Sequence, residues 1–280
     1  MLSRRSALAA GAGVGLTGAG LREPQRVVSL NPCLDAILVH VADRAQIAAL
    51  SHYSHDLSSS SLGQVGLGYP FTYETAEEVL ALRPDLVLSG RPAPTATHRA
   101  LTQLGVRVEL FAAPSTIAES LAQVRDVARA VNRVARGNAL VARIEAAISA
   151  SAPARASPRP TALIYQAGGF AAARGTLMDE MLTRAGFENA ATRYGLTRTG
   201  NIALENLIAD PPDVLLSGQL QEDTPTWADR VLSHPALAKV AGRMTRIAFP
   251  QQLTYCGGPV LIATAQMLAA ARGTVLAGRS

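Results

Sequence analysis

The sequence predicts an α/β protein made of two Rossmann-like lobes bridged by one long α-helix, with a cleft between the lobes. Three observations lead there. Short apolar strands alternate with helical periodicities, one strand-bearing segment occurs twice, and an unbroken helical pattern separates its two copies.

Composition sets the frame for those elements. With 48% hydrophobic and 17% charged residues, the 280-residue chain can bury one or two substantial cores, which excludes a disordered or fibrous protein. Its two cysteines are too few for a disulfide scaffold, and no CxxC or Cys/His cluster suggests a zinc ribbon. The formal charge of +5 rests almost wholly on arginine, since Lys239 is the single lysine. Those arginines are scattered and aromatics amount to 4%, which argues against a nucleic-acid partner.

Residues 1–20 read as a twin-arginine export signal. Arg4 and Arg5 precede an uncharged stretch rich in Ala and Gly that is too short and too weakly apolar to span a bilayer. No lipid-attachment cysteine follows it, so a soluble exported form is expected. The GxGxxG match at 13–18 lacks both a preceding strand and an acidic residue at ribose distance, and is discarded.

The first lobe is assigned to 21–115. A β-branched run at 26–30 gives a strand, and a helix over 35–41 follows the Asn31-Pro32 break. A helix over 75–82 ends at Arg83-Pro84, and 85–89 is apolar on both faces, as a strand inside a parallel sheet must be. A helix over 97–104 and a strand over 106–111 complete the lobe.

Thr116 with Glu119 has capping-box spacing, and apolar positions then recur every three or four residues to Ile148. The pattern predicts one connecting helix over 116–150, on the order of 50 Å long, with Gly137 bending it slightly. The second lobe, 151–280, opens on a Pro/Ala/Ser linker and repeats the grammar. Strands are expected at 161–165, 213–217 and 244–249, helices at 177–184 and 203–209, another around Trp227, and a last one from about Gly258.

The repeat is AEEVLALRPDLVLSG against LENLIADPPDVLLSG. At constant offset it pairs Glu77 with Glu205, Pro84 with Pro212, Asp85 with Asp213, and Ser89-Gly90 with Ser217-Gly218. Two lobes of one design are the simplest source of such a match.

The export signal, RVVSLNP, the AEEVLALRPDLVLSG segment, the long connecting helix and GTLMDEMLTRAGFENA, in that order, resemble the helical-backbone solute-binding proteins of ABC importers. The resemblance covers almost all of 24–275. It implies a periplasmic, monomeric receptor without cofactor that carries a metal chelate to an inner-membrane permease. A ferric siderophore is the first expectation, with cobalamin or haem on the same scaffold as alternatives. It also implies that Glu77 and Glu205 dock onto arginines of the permease, a role suited to two separated surface carboxylates.

Ligands of such folds sit over the carboxyl ends of the strands. The residues expected there are Cys33, Tyr53, Tyr69, Phe71, Arg91, Gln166, Phe170, Tyr194 and Tyr255. Arg91 is the preferred anion contact, and Tyr69, Tyr255 or His52 could reach a haem iron. The single tryptophan, Trp227, falls outside these segments and counts against cobalamin. His52, His55 and Asp56 could hold a bare divalent metal, although no matching His stands in the second lobe. Cys33 and Cys256, in cleft loops of opposite lobes, could be bonded or free. An exported hydrolase or metal-cluster enzyme is the rival class, but neither GxSxG nor HExxH is present.

Overall fold

The computed structural model describes residues 23–91, 95–154, 157–218, 234–238, 240 and 242–278. The export signal, the helix expected around Trp227 and Gln219, a further residue that the sequence places at the cleft, lie outside the described residues.

In the first lobe, Val27–Ser29 (β1), Ile47–Ser51 (β2), Phe71–Thr72 (β3), Leu86–Arg91 (β4) and Val108–Ala112 (β5) form one parallel sheet in the order β3-β2-β1-β4-β5. Helix α1 (Pro32–Val41) starts three residues earlier than the sequence pattern suggests. Asn31 caps it by accepting from the Cys33 and Leu34 amides, and Pro32 occupies the first turn, where its missing N–H costs nothing. Thr75 caps α2 (Ala76–Ala81) in the same way, and α3 (Thr95–Gln103) leads into β5.

The second lobe holds a four-stranded parallel sheet. Its strands Thr161–Tyr165 (β6), Glu188–Asn189 (β8), Val214–Ser217 (β10) and Thr245–Ala248 (β11) run in the order β11-β10-β6-β8. Phe170–Ala172 (β7) and Thr199–Asn201 (β9) make a separate antiparallel ribbon that the sequence pattern does not predict. Helices α6 (Leu177–Arg184), α7 (Leu204–Ala209), the short α8 (Pro235–Ala238) and α9 (Val260–Ala277) complete it. Helix α9 is long and apolar enough to cross a membrane by composition, but it is a core helix here, with Leu261 and Leu268 wholly buried and its side against the bridge between the lobes.

That bridge corrects the expectation of one helix over 116–150. It is two helices, α4 (Ile117–Ala130) and α5 (Val134–Ala150), broken where Asn132 takes a left-handed backbone conformation with φ 57°. Asn tolerates that region better than most residues. Arg133 fixes the corner by pairing with Glu23 and Asp43, and Arg136 pairs with Asp43 at 2.6 Å. The helices then fold back on each other, with α5 touching both α1 of the first lobe and α9 of the second.

Gly137 does not bend a helix; it lets two approach. A Cβ there would lie 2.3 Å from the Ala128 Cβ of α4. Gly137→Ala is therefore expected to destabilise by about 1–3 kcal/mol through overpacking, even though Ala is favoured over Gly inside an isolated helix by about 1 kcal/mol. Urea denaturation reads the sign directly, and a more stable variant would show that α4 and α5 separate at little cost.

Strand side chains alternate between two destinations. Val27, Leu86 and Leu88 of the first lobe and Ala162, Ile164, Val214 and Leu216 of the second join α1, α4, α5, α6 and α9 in a single buried cluster that runs through both lobes. Their neighbours Val28 and Val87 face an outer cluster with Val79 and Leu101, while Leu163, Tyr165 and Leu215 face another with Leu207. Both sheets are thus covered on both faces, which explains strands without polar alternation.

The repeat has a structural reason. Asp85 accepts from the Gln25 amide at 2.8 Å and the Arg26 amide at 3.0 Å, tying the start of β4 to the start of β1. Asp213 accepts from the Thr161 amide at 2.7 Å and from its hydroxyl at 2.9 Å, tying β10 to β6. In each lobe the aspartate satisfies backbone donors at the mouth of a central strand, where no ladder partner is available.

Candidate functional site

The carboxyl ends of the two sheets face a common cleft of about 280 Å³. The first lobe contributes Asn31 and Cys33 at the start of α1, Gly90 and Arg91 at the end of β4, and Phe111 at the end of β5. The second contributes Gln166, Phe170, Thr176, Met178 and Thr199, and a turn before α9 adds Thr254, Tyr255 and Gly257. The lining is mainly apolar, with polar side chains distributed around it, as suits a site that buries an organic ligand and orients it.

Local structure explains each placement. Gly90 lets the end of the Asn31 side chain lie close over the backbone, since a Cβ there would come within 2.9 Å of Asn31 Nδ2; at the repeat partner Gly218 nothing lies within 4 Å. Arg91 ends β4 exposed, and it makes no ion pair among the described residues. Gln166 and Phe170 sit at the two ends of a tight turn. The Gln166 amide donates to Phe170 O at 2.9 Å, and Gly168 and Gly169 adopt φ of 71° and 81° between them. The ribbon anchors this turn, with Asn201 Nδ2 donating to Gly168 O at 2.7 Å and the buried Tyr165 hydroxyl to Ile202 O at 2.9 Å.

Cys33 and Cys256 form a disulfide, so the first turn of α1 and the turn before α9 are bonded across the two lobes at the cleft wall. Beside it, Tyr255 is 49% exposed into the cleft. Partial burial raises its phenol above the ordinary value, so it remains a hydrogen-bond donor at neutral pH. Further contacts join the lobes nearby. Glu180 of α6 accepts from the Ile117 amide at the start of α4 at 2.7 Å, and Arg198 donates to the Ser115 hydroxyl at 2.9 Å.

Of the residues expected at the site, Cys33, Arg91, Gln166, Phe170 and Tyr255 come together in this cleft. Tyr53, Tyr69 and Phe71 do not line it. Tyr53 and Phe71 belong to an exposed aromatic group on the first lobe, in which His52 lies 3.9 Å from Tyr53 and 5.5 Å from Tyr73, and His55 lies 4.5 Å from Phe71. Tyr69 is partly covered by the Arg44 guanidinium, 3.8 Å above its ring. Tyr194 is a correction: its hydroxyl donates to Asp210 O at 2.6 Å and its ring packs on the outer cluster of the second lobe, away from the cleft. Burial holds that phenol at about 12. His52 pairs with Glu74 at 2.9 Å, and no group of three metal-ligating side chains occurs among the described residues. Phe111, Met178 and Thr199 are cleft residues that the sequence reading missed.

Glu77 and Glu205 are both exposed in the first turns of α2 and α7. The neighbouring Glu78 is used internally, accepting from the Thr72 hydroxyl and the Tyr73 amide at 2.9 and 2.8 Å. Glu77 is left facing solvent.

Two parallel-sheet lobes sharing a cleft at their strand ends define a two-lobed binding protein. The chain belongs to the periplasmic binding protein family, whose profile matches residues 27–247. It is 27% identical over 200 residues to the cobalamin-binding protein of Halobacterium salinarum, a match that takes in 70% of this chain and 54% of that protein. The chain thus spans about half the length of these curated relatives. Among solved structures it is similar to the periplasmic haem-binding protein RhuT from Roseiflexus sp. RS-1, with 27% identity, a TM-score of 0.71, and coverage of 90% of this chain and 98% of that one. The vitamin B12 binding protein BtuF of Vibrio cholerae shares the fold at 14% identity, with a TM-score of 0.64 over 91% of this chain and 98% of its own.

Proposed function

We propose that the protein is the periplasmic receptor of an ABC importer for a metal chelate, and that the chelate is a tetrapyrrole, a corrinoid or a porphyrin. The observation that carries this is the interlobe cleft, whose apolar walls and, among the described residues, one lining cation, Arg91, suit a large organic ring bearing few charges. The names of the 27% identical relatives, cobalamin-binding and haem-binding, support the same reading. A ferric siderophore, the first expectation from sequence, is the second reading, and Arg91 with the Tyr255 phenol is what favours it. Binding is reversible and involves no covalent step.

A thermal-shift titration of the exported form with cyanocobalamin, haemin and a ferric trihydroxamate decides between them. A true ligand at about 100 times its dissociation constant adds about 2.7 kcal/mol, which raises the melting temperature by about 5–10 °C in a chain of this size. A shift with the hydroxamate alone would transfer the assignment to siderophores.

The exposed Glu77 and Glu205, one on each lobe, are proposed to set the docking register on the permease, with the receptor acting as a monomer. Charge reversal at both positions is expected to abolish uptake of the chelate in cells while leaving its affinity in solution unchanged. Reduced affinity would instead place the two carboxylates in the binding site.

A further inference from the structure

We infer that the Cys33–Cys256 disulfide is a positioning element of the binding site, holding Tyr255 over the cleft so that the oxidised protein retains the chelate and the reduced protein releases it. The identity of the ligand rests on the proposed function above; the role of the bond rests on the geometry of the turn before α9.

That turn is held at two levels. Beyond Cys256 the backbone is wedged into the first lobe by contacts that need no sulfur. The Gly258 amide donates to the Ser120 hydroxyl of α4 at 2.7 Å. A Cβ on Gly257 would lie 2.4 Å from that hydroxyl, and one on Gly258, whose φ is +64°, would lie 2.9 Å from Ile37 of α1. Before Cys256, the turn carries Tyr255, and the bond to Cys33 is the covalent tie between that stretch and the first lobe. Further upstream, Gln252 Nε2 donates to Leu57 O of the first lobe at 3.4 Å and the Thr264 hydroxyl of α9 donates to Leu253 O at 3.0 Å, so the stretch between these anchors and the wedge is Thr254 and Tyr255, with the Thr254 hydroxyl donating to Gln251 O of its own turn.

Breaking the bond therefore leaves the wedge at Gly257 and Gly258 in place and frees the ligand-facing part. Cys256 belongs to the shared core and Cys33 packs against it, but the side chains of α1, α4, α5, α6 and α9 that make up the rest of that core stay in contact when the bond is broken. The loss falls on preorganisation of Tyr255, which appears in affinity rather than in folding.

Cys33 lines the cleft and is partly exposed, while Cys256 is 6% exposed. A thiolate thus reaches the bond from the cleft side, through Cys33. A dithiol reductant attacks that sulfur, forms a mixed disulfide and closes to its own disulfide; two electrons and two protons pass to the cysteine sulfurs. A ligand in the cleft covers this approach, so reduction weakens binding and binding slows reduction. The two effects are thermodynamically linked.

Hydrogen exchange on the ligand-free full-length exported form, oxidised and then held in dithiothreitol, tests the positioning alone. Faster exchange confined to 253–256 and the first turn of α1, with α4 and α9 unchanged, is expected. Unchanged exchange at 253–256 would overturn the inference whatever the ligand is. Titration of the Cys33→Ser, Cys256→Ser double variant with cyanocobalamin and with haemin tests the consequence. For whichever binds the oxidised wild type, affinity is expected to fall by about tenfold, chiefly through faster dissociation. Equal affinity would refute the role of the bond, while failure of both probes on the oxidised wild type would refute only the tetrapyrrole reading, the exchange result standing by itself. If the double variant does not fold, the same titration on dithiothreitol-reduced wild type replaces it.

Discussion

Raising the pH from about 4 to about 7 is expected to lower the folding stability through one buried carboxyl, Asp35, by on the order of 4 kcal/mol. Asp35 lies in the first turn of α1 and is 1% exposed. It accepts from the Ser51 hydroxyl at 2.5 Å and the Ser51 amide at 3.2 Å. Burial outweighs these bonds and the Glu74 charge adds to it, so the carboxyl is pushed up from 3.8 to about 7. Between those values the folded protein keeps a proton that the unfolded chain has released. The contribution is fully present below pH 3.8 and is lost as the pH rises through about 7. Exposed carboxylates such as Asp43 and Asp56 are held low and change stability in the opposite sense, so the comparison must be with Asp35→Asn. Urea denaturation of both proteins across this range is expected to show the variant gaining on wild type as pH rises. A difference independent of pH would mean that Asp35 is ionised throughout.

Substitution of Gly258 is expected to be the second large effect. Its left-handed φ of +64° costs a residue with a side chain about 1–2 kcal/mol, and the clash with Ile37, at 2.9 and 3.3 Å, adds about 1–3 kcal/mol more. Gly105 separates the two causes, since its φ is +78° but nothing lies within 4 Å of a Cβ there. Gly258→Ala is therefore expected to lower the melting temperature by about 4–20 °C, and Gly105→Ala by only the backbone share of that. Equal losses would show that α1 yields around residue 258.

What the sequence made legible is what local chemistry determines. Helix α6 is found at its expected bounds because Thr176 caps it and Gly186, with φ 84°, ends it. The central strands β4, β6 and β10 were readable from apolar runs flanked by breakers. The repeated aspartates marked equivalent strand starts before their hydrogen bonds were known. The bridge was misread because α4 and α5 both bury apolar stripes, so the periodicity passes through Asn132 without a visible phase change. Its break depends on one backbone angle and on the contact between Gly137 and Ala128, which is tertiary. At the site, Arg91 and Gln166 were accessible to sequence reasoning since they follow strands that could be placed. Met178 and Thr199 were not, because a helix face and an unpredicted ribbon bring them to the cleft. Tyr194 instead packs on the outer cluster of the second lobe, a direction that only packing decides.

The buried cluster that runs through both lobes makes the halves interdependent. A chain cut in the linker between α5 and β6 would leave each fragment with one uncovered side of that cluster, and neither could fold alone. With the Cys33–Cys256 bond first reduced, so that nothing covalent joins the fragments, mixing them would recover structure only as a stoichiometric pair, in a single cooperative step that follows second-order kinetics.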